Sequence, residues 1–188
     1  MHTKFLLLLG VSGVGKSTII QNLQKIDSRF KYISPYITRA LRNGEVDKIC
    51  VTDNTMDEMD RNGEFLVINK KYGIRYATPL RPIVEALNES HFPVLDWPIN
   101  RLNIMVRSFS GQLSVVYLAP PSIEELERRL SKDGRDENGS RILEACEELE
   151  EFYQGKYVDS YDLCVTTQSG KEDVISQNIY EFYLKSLE

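Results

Sequence analysis

Apolar residues along this chain fall into unbroken runs and into runs at helical spacing, and the alternation predicts the elements. Residues 4–9 hold Leu6-Leu7-Leu8-Leu9, a continuous apolar strand of the kind buried on both faces of a parallel sheet. Ile19, Ile20, Leu23 and Ile26 then recur on one helix face, which closes at Asp27-Ser28. Further apolar strands are predicted over 92–96, 113–118 and 162–166, with a fifth near Tyr32. Helical patterns separate them. One spans 80–89, with Pro82 tolerated in its first turn, and another spans 100–109. A third follows Pro120-Pro121, where Ser122 and Glu125 form a capping box. A fourth presents Ile142, Cys146, Leu149 and Tyr153, and a closing helix carries Val174, Ile175, Ile179, Phe182 and Leu187. Strands alternating with helices predict an α/β fold, a doubly wound parallel sheet with helices on both faces.

Two stretches break the alternation. Residues 32–79 hold short β-prone pieces around an Asn43-Gly44 turn and a short strand over 48–52. A capping box at Thr55-Met56-Asp57-Glu58 starts a short helix ending near Gly63. A strand over 64–69, a turn over 70–73 flanked by Tyr72 and Tyr76, and a return over 74–77 complete a small insert that closes over an acceptor. Residues 131–141 are polar and glycine-containing, with no apolar face to bury. They read as a mobile lid or as a solvated loop. The expectation is one domain over 1–188, with a core at 1–31 and 80–188, an insert at about 32–79 and a lid at about 131–141.

Composition narrows the partners. With 188 residues and 41% hydrophobic content, the chain can bury a sizeable core. A formal net charge of −5 argues against nonspecific binding to nucleic acid. Cys50, Cys146 and Cys164, an odd set at wide spacing, suit free thiols in a reducing cytosol. Lys4 and the leucines after it imitate a secretory signal, but the run stops at Gly10 and Lys16 follows early. No segment approaches the ~18 apolar residues of a membrane span. A cytoplasmic monomer or homodimer acting on small molecules is expected.

The chemistry begins with Gly10-x-x-x-x-Gly15-Lys16-Ser17, the phosphate-loop pattern, placed between a strand and a helix. Glycines let successive N–H groups turn toward phosphate oxygens, and the helix N-terminus adds its positive end. Gly10, Ser12, Gly13, Val14, Gly15, Lys16, Ser17 and Thr18 form the expected ATP-binding set. Lys16 reaches the β- and γ-phosphates, and Ser17 offers its hydroxyl to Mg²⁺. Asp96 ends an apolar strand, where open α/β sheets bind ligands. It is a Walker-B-type acid for Mg²⁺ or its waters, or else a helix cap. Arg39 and Arg42 sit beside the Asn43-Gly44 turn as an anion grip or as surface charges. Arg135 and Arg141 could close on the triphosphate and the phosphoryl group in flight, or remain solvated.

Over nearly its whole length the chain resembles the guanylate kinase family. Gly10 to Thr18 resembles its nucleotide loop, and Thr38-Arg39-Ala40-Leu41-Arg42-Asn43-Gly44-Glu45 is similar to its T-R-x-x-R-x-G-E segment. Asn62-Gly63-Glu64-Phe65-Leu66 and Tyr76-Ala77-Thr78-Pro79 look like its acceptor hairpin, and Ala119-Pro120-Pro121-Ser122 with Arg129-Leu130 resembles the run before its lid. The resemblance implies an ATP- and Mg²⁺-dependent kinase, with GMP the first-choice acceptor. It assigns the acceptor phosphate to Arg39, Arg42 and Tyr76, with Thr78 and Asp96 in the acceptor set. Lys16, Arg39, Arg135 and Arg141 become the catalytic charges, and Ser17 and Asp96 the metal-holding pair.

The departures fall on the base. Pro35 or Tyr36 stands where the family's guanine-reading serine would be, Val67 stands at the glutamate, Cys50 at a phosphate-binding tyrosine, and Pro98 at a second acid. The ribose 1,5-bisphosphate phosphokinases share the fold, a Tyr36-Ile37-Thr38-Arg39-like step and a lid comparable to Gly134-Arg135-Asp136-Glu137-Asn138. The acceptor is therefore open between a nucleoside monophosphate and another phosphorylated sugar. A noncatalytic phosphopeptide-binding module of this type is the competing class, opposed by the intact Gly15, Lys16 and Ser17. A GTPase switch would need an N-K-x-D segment, which the sequence lacks.

Overall fold

The computed structural model describes residues 4–42, 45–71, 73–132 and 139–188. In chain order these form β1 (Phe5–Leu9), α1 (Lys16–Ile26), β2 (Phe30–Tyr32), β3 (Tyr36–Ile37), β4 (Ile49–Cys50), α2 (Asp53–Arg61), β5 (Phe65–Lys71) and β6 (Ile74–Pro79). They continue with α3 (Arg81–Asn88), β7 (Phe92–Asp96), a 3-10 turn (Ile99–Arg101), α4 (Leu102–Ser108), β8 (Leu113–Ala119), α5 (Ile123–Lys132), α6 (Ser140–Tyr153), β9 (Leu163–Thr166) and α7 (Glu172–Ser186). The chain divides into two compact units, one of residues up to Ser28 and from Asp96 onward, the other Arg29–Leu95.

The first unit is α/β, with parallel strands and helices packed over them. All five side chains of β1 are buried, as an apolar run on a central parallel strand requires. β1 pairs with β8 from Phe5↔Leu113 to Leu9↔Tyr117, and β8 with β9 from Val116↔Leu163 to Ala119↔Thr166. The carboxyl ends of the three strands therefore finish at one level, where the loops after Leu9, Ala119 and Thr166 meet. Helix α1 buries Ile19, Ile20 and Leu23 and packs on α7. The Tyr183 hydroxyl of α7 donates to Lys4 O at 2.6 Å, fixing that helix to the start of the sheet. Tyr117 of β8 stacks on Phe152 of α6, with ring centroids 4.1 Å apart.

In the second unit β2 and β7 pair in parallel, Phe30↔Phe92 to Tyr32↔Val94. A separate four-stranded sheet runs in the order β4-β3-β6-β5, with β3/β4 parallel and β3/β6 and β5/β6 antiparallel. Arg75 of β6 pairs with Asp57 at 2.7 Å and Asp53 at 3.3 Å, both on α2, while Met56 of that helix is fully buried.

Several boundaries move from their expected places. Helix α2 begins at Asp53, because Thr52 caps it: its Oγ1 accepts the Thr55 N–H at 3.1 Å. Lys70 and Lys71 stay in β5, paired with Arg75 and Ile74, so the predicted 70–73 turn is shorter. The 100–109 helix opens as a 3-10 turn capped by Pro98. Ser131 and Lys132 end α5, and Ser140 and Arg141 begin α6, so helices claim both flanks of the predicted lid. Tyr153 and Val174 are exposed; α6 buries Leu149, as its pattern predicts, and Ala145 in place of Tyr153. The Asn43-Gly44 turn, Tyr72 and residues 133–138 lie outside the described residues. No helix among the described residues is long and apolar enough to cross a membrane.

Candidate active site

The loop after β1 takes its shape from backbone that only glycine tolerates. Gly10 has φ +126°, and a Cβ there would lie 2.3 Å from Leu118 O of β8. Gly15 has φ +107° and precedes α1 without any side-chain cap, so the first N–H groups of the helix keep their capacity for an anion. The ammonium of Lys16 donates to Gly10 O at 2.6 Å and Val11 O at 3.0 Å, folding the side chain back over the loop. Ser17 and Thr18, in the first turn of α1, are exposed, whereas Val14 is buried.

Two arginines approach the same loop. Arg141, at the start of α6, donates from Nη1 to Ser12 Oγ at 3.4 Å. Arg129 of α5 donates to Val14 O at 3.3 Å, to Thr167 Oγ1 at 3.1 Å and to Ser169 Oγ at 3.3 Å. Glu125 steadies it at 3.0 Å. Contacts with Arg128, Ser169 and Arg129 hold the Glu125 carboxyl well below the usual carboxylate range. Glu125 thus serves these side chains rather than closing a capping box, of which only the Ser122 half forms, Ser122 Oγ accepting the Glu125 N–H at 3.2 Å. A cavity of about 350 Å³ opens here, lined by Gly13, Gly15, Thr18, Arg129, Lys132 and Gln168 among others. Arg129, Thr167 and Ser169 were not singled out as site residues from sequence. The available signal was the polar Thr166-Thr167-Gln168-Ser169 run directly after the last apolar strand.

Asp96 ends β7, and the following Trp97 N–H donates to Leu8 O at 3.0 Å. The acid therefore sits level with the end of β1, beside the start of the glycine loop. Ser17 and Asp96 together offer a hydroxyl and a carboxylate. That donor set suits Mg²⁺, which takes one or two protein oxygens and completes its octahedron with water and phosphate.

In the second unit the arginine pair is organised by an acid. Glu45 accepts Arg39 Nη1 and Nη2, both at 2.7 Å, and the Arg42 backbone N–H at 3.0 Å. Arg39 also donates to Ala40 O at 2.7 Å. The contact with Arg39 is the main reason the Glu45 carboxyl falls to about 2, with Arg42 N–H and Lys48 adding to it. Arg39 is raised in turn, chiefly by Glu45 and in smaller part by Tyr76. Arg39 Nε is buried without a hydrogen-bond partner. Arg42 is exposed, and Thr78, two residues beyond Tyr76 on β6, is buried. The structure thus groups Arg39 with Tyr76 in one unit, and Arg141 and Asp96 with the glycine loop in the other. Arg135 lies outside the described residues. Glu45 went unassigned in the sequence, although it follows Arg39 by six residues across a turn-forming Asn-Gly.

Comparison with known proteins gives a consistent set. A guanylate kinase family model matches residues 2–177. The chain is 34% identical over 140 residues to a guanylate kinase of Carboxydothermus hydrogenoformans, covering 72% of this chain and 68% of that protein. It is 31% identical over 153 residues to one from Trichormus variabilis, covering 78% and 76%. Among solved structures, a guanylate kinase from Anaplasma phagocytophilum superimposes with a TM-score of 0.72 at 17% identity, covering 97% of this chain and 85% of that one. Shikimate kinase from Acinetobacter baumannii gives 0.53 at 18% identity, with 97% and 94% covered. These two structural likenesses concern the fold alone.

Proposed function

The chain belongs to the guanylate kinase family of ATP-dependent nucleotide kinases, and on that premise we propose that it transfers the γ-phosphoryl group of ATP to the phosphate of a nucleoside monophosphate, GMP first. The observation that carries this reading is the uncapped start of α1 behind a left-handed Gly15, with the Lys16 ammonium held on the same loop. Lys16 and the loop N–H groups hold the β- and γ-phosphates, and Arg129 braces the loop through Val14 O. Ser17 and Asp96 hold Mg²⁺, which neutralises phosphate charge when bound. Arg39, oriented by Glu45 and joined by Tyr76, Arg42 and Thr78, grips the acceptor phosphate. Arg141, together with Arg135, stabilises charge on the phosphoryl group in flight. Rate enhancement then comes from in-line positioning and fixed charge, with no covalent intermediate and no strong base.

The test is ADP release from Mg²⁺-ATP with GMP, dGMP, the other nucleoside monophosphates and ribose 1,5-bisphosphate. The proposal expects ADP and a nucleoside diphosphate to appear in equal amounts, fastest with GMP. ATP binding without acceptor-dependent ADP release would favour the noncatalytic module instead.

A further inference from the structure

Two buried side-chain atoms among the described residues have no hydrogen-bond partner, Arg39 Nε and Asn69 Oδ1. The first belongs to the proposed phosphate grip. The second has no role in it. Asn69 lies on β5 directly opposite Tyr76 on β6. Opposed residues of an antiparallel pair project from the same face, with Cβ atoms about 5 Å apart. Tyr76 is also paired with Ile37 of β3, two residues before Arg39. Val67 and Thr78, opposed two residues further along, share that face. The Asn69 carboxamide therefore stands beside the phenol of the grip, next to an apolar valine that can form no hydrogen bond.

Buried carbonyl oxygens are nearly always paired, because an unpaired one has lost its water without compensation. A ligand that brings an N–H explains an amide left in this state. Phosphate cannot be that ligand, since at neutral pH it brings mainly acceptor oxygens, and Arg39 and Tyr76 already provide its donors. An uncharged carboxamide offers one acceptor and two donors, the mixed set that reads a nucleobase edge.

We infer that Asn69 reads the base of the acceptor, its Oδ1 accepting an N–H from the nucleobase edge. This rests on the nucleotide-kinase reading above and adds a specificity-determining residue to it.

The experiment is steady-state kinetics of the full chain with Mg²⁺-ATP against GMP, AMP, CMP, UMP and ribose 1,5-bisphosphate, for the wild type, Asn69→Leu and Asn69→Asp. Leucine keeps the volume without polar atoms, and aspartate keeps the acceptor oxygen. Asn69→Leu should raise KM for the preferred nucleoside monophosphate roughly 10- to 100-fold and narrow its lead over the other bases. KM for ATP should stay within about twofold, and Asn69→Asp should stay within about tenfold of the wild type. Should Asn69→Leu fail to fold by thermal melting, Asn69→Ala gives the same readout. An active wild type whose preferred-base KM is unmoved in these variants, or moved equally for ribose 1,5-bisphosphate, overturns the assignment of Asn69 alone. A wild type inert to every nucleoside monophosphate overturns the proposed function and this inference with it.

Discussion

The glycine loop after β1 and the sheet formed by β3 to β6 present donors in different ways. In the loop the donors are mainly backbone N–H groups at an uncapped helix start, and their direction follows from glycine conformations at Gly10 and Gly15. In the sheet they are side chains, Arg39 and Tyr76, and an internal acid, Glu45, sets the arginine's direction. A backbone device depends on local covalent geometry and is written in a short motif. A side-chain device depends on which strands pair, and its members are scattered between Arg39 and Thr78. That difference is visible in the chain itself: Gly10, Gly15 and Lys16 lie within seven consecutive residues, whereas Arg39 and Tyr76 are 37 residues apart.

The comparison can be broken at either end. The largest effect is expected from Lys16→Ala, which should lower kcat/KM by about 10³-fold with little change in melting temperature. An unfolded variant would make Lys16 a structural residue instead. Gly10→Ala should act on the fold, because its Cβ meets Leu118 O and its φ of +126° is unsuited to alanine. A loss of roughly 3 kcal/mol is expected, seen as a melting temperature lower by about 6–12 °C. Arg39→Lys keeps the charge but loses the planar fork, and should raise acceptor KM about 10- to 100-fold without changing KM for ATP.

The smallest effect concerns acid stability. The carboxyl of Glu45 is lowered in the fold from 4.5 to about 2. A depressed carboxyl contributes stability that is complete above its unfolded value and fades as pH falls from about 4.5 toward 2. Glu45→Gln should therefore be less stable than the wild type by about 1–2 kcal/mol at pH 6, a difference that shrinks by pH 3 in denaturant melts. A pH-independent difference would mean that packing, not charge, accounts for the loss.

Sequence made the first unit legible because its signals are local. Leu6 to Leu9 form a buried strand, and Gly10 to Gly15 form the loop that leads from it into α1. Arg129 was obscure as a loop brace because Thr167 and Ser169, its partners, lie 38 and 40 residues further on. In the insert, Thr52 outcompeted the Thr55 box as helix cap, and a single sequence does not rank two threonines three residues apart. Asn69 reads as an ordinary polar strand position until its pairing with Tyr76 is known. Alternation predicts which residues share a face, but not which face a second strand will cover.

The most direct test of two separate phosphate grips is calorimetric titration of Lys16→Ala and Arg39→Lys with ATP and with GMP. The account predicts a crossed pattern: Lys16→Ala weakens ATP and leaves GMP within about twofold, while Arg39→Lys weakens GMP roughly tenfold or more and leaves ATP unchanged. Equal weakening of both ligands by both substitutions would contradict it.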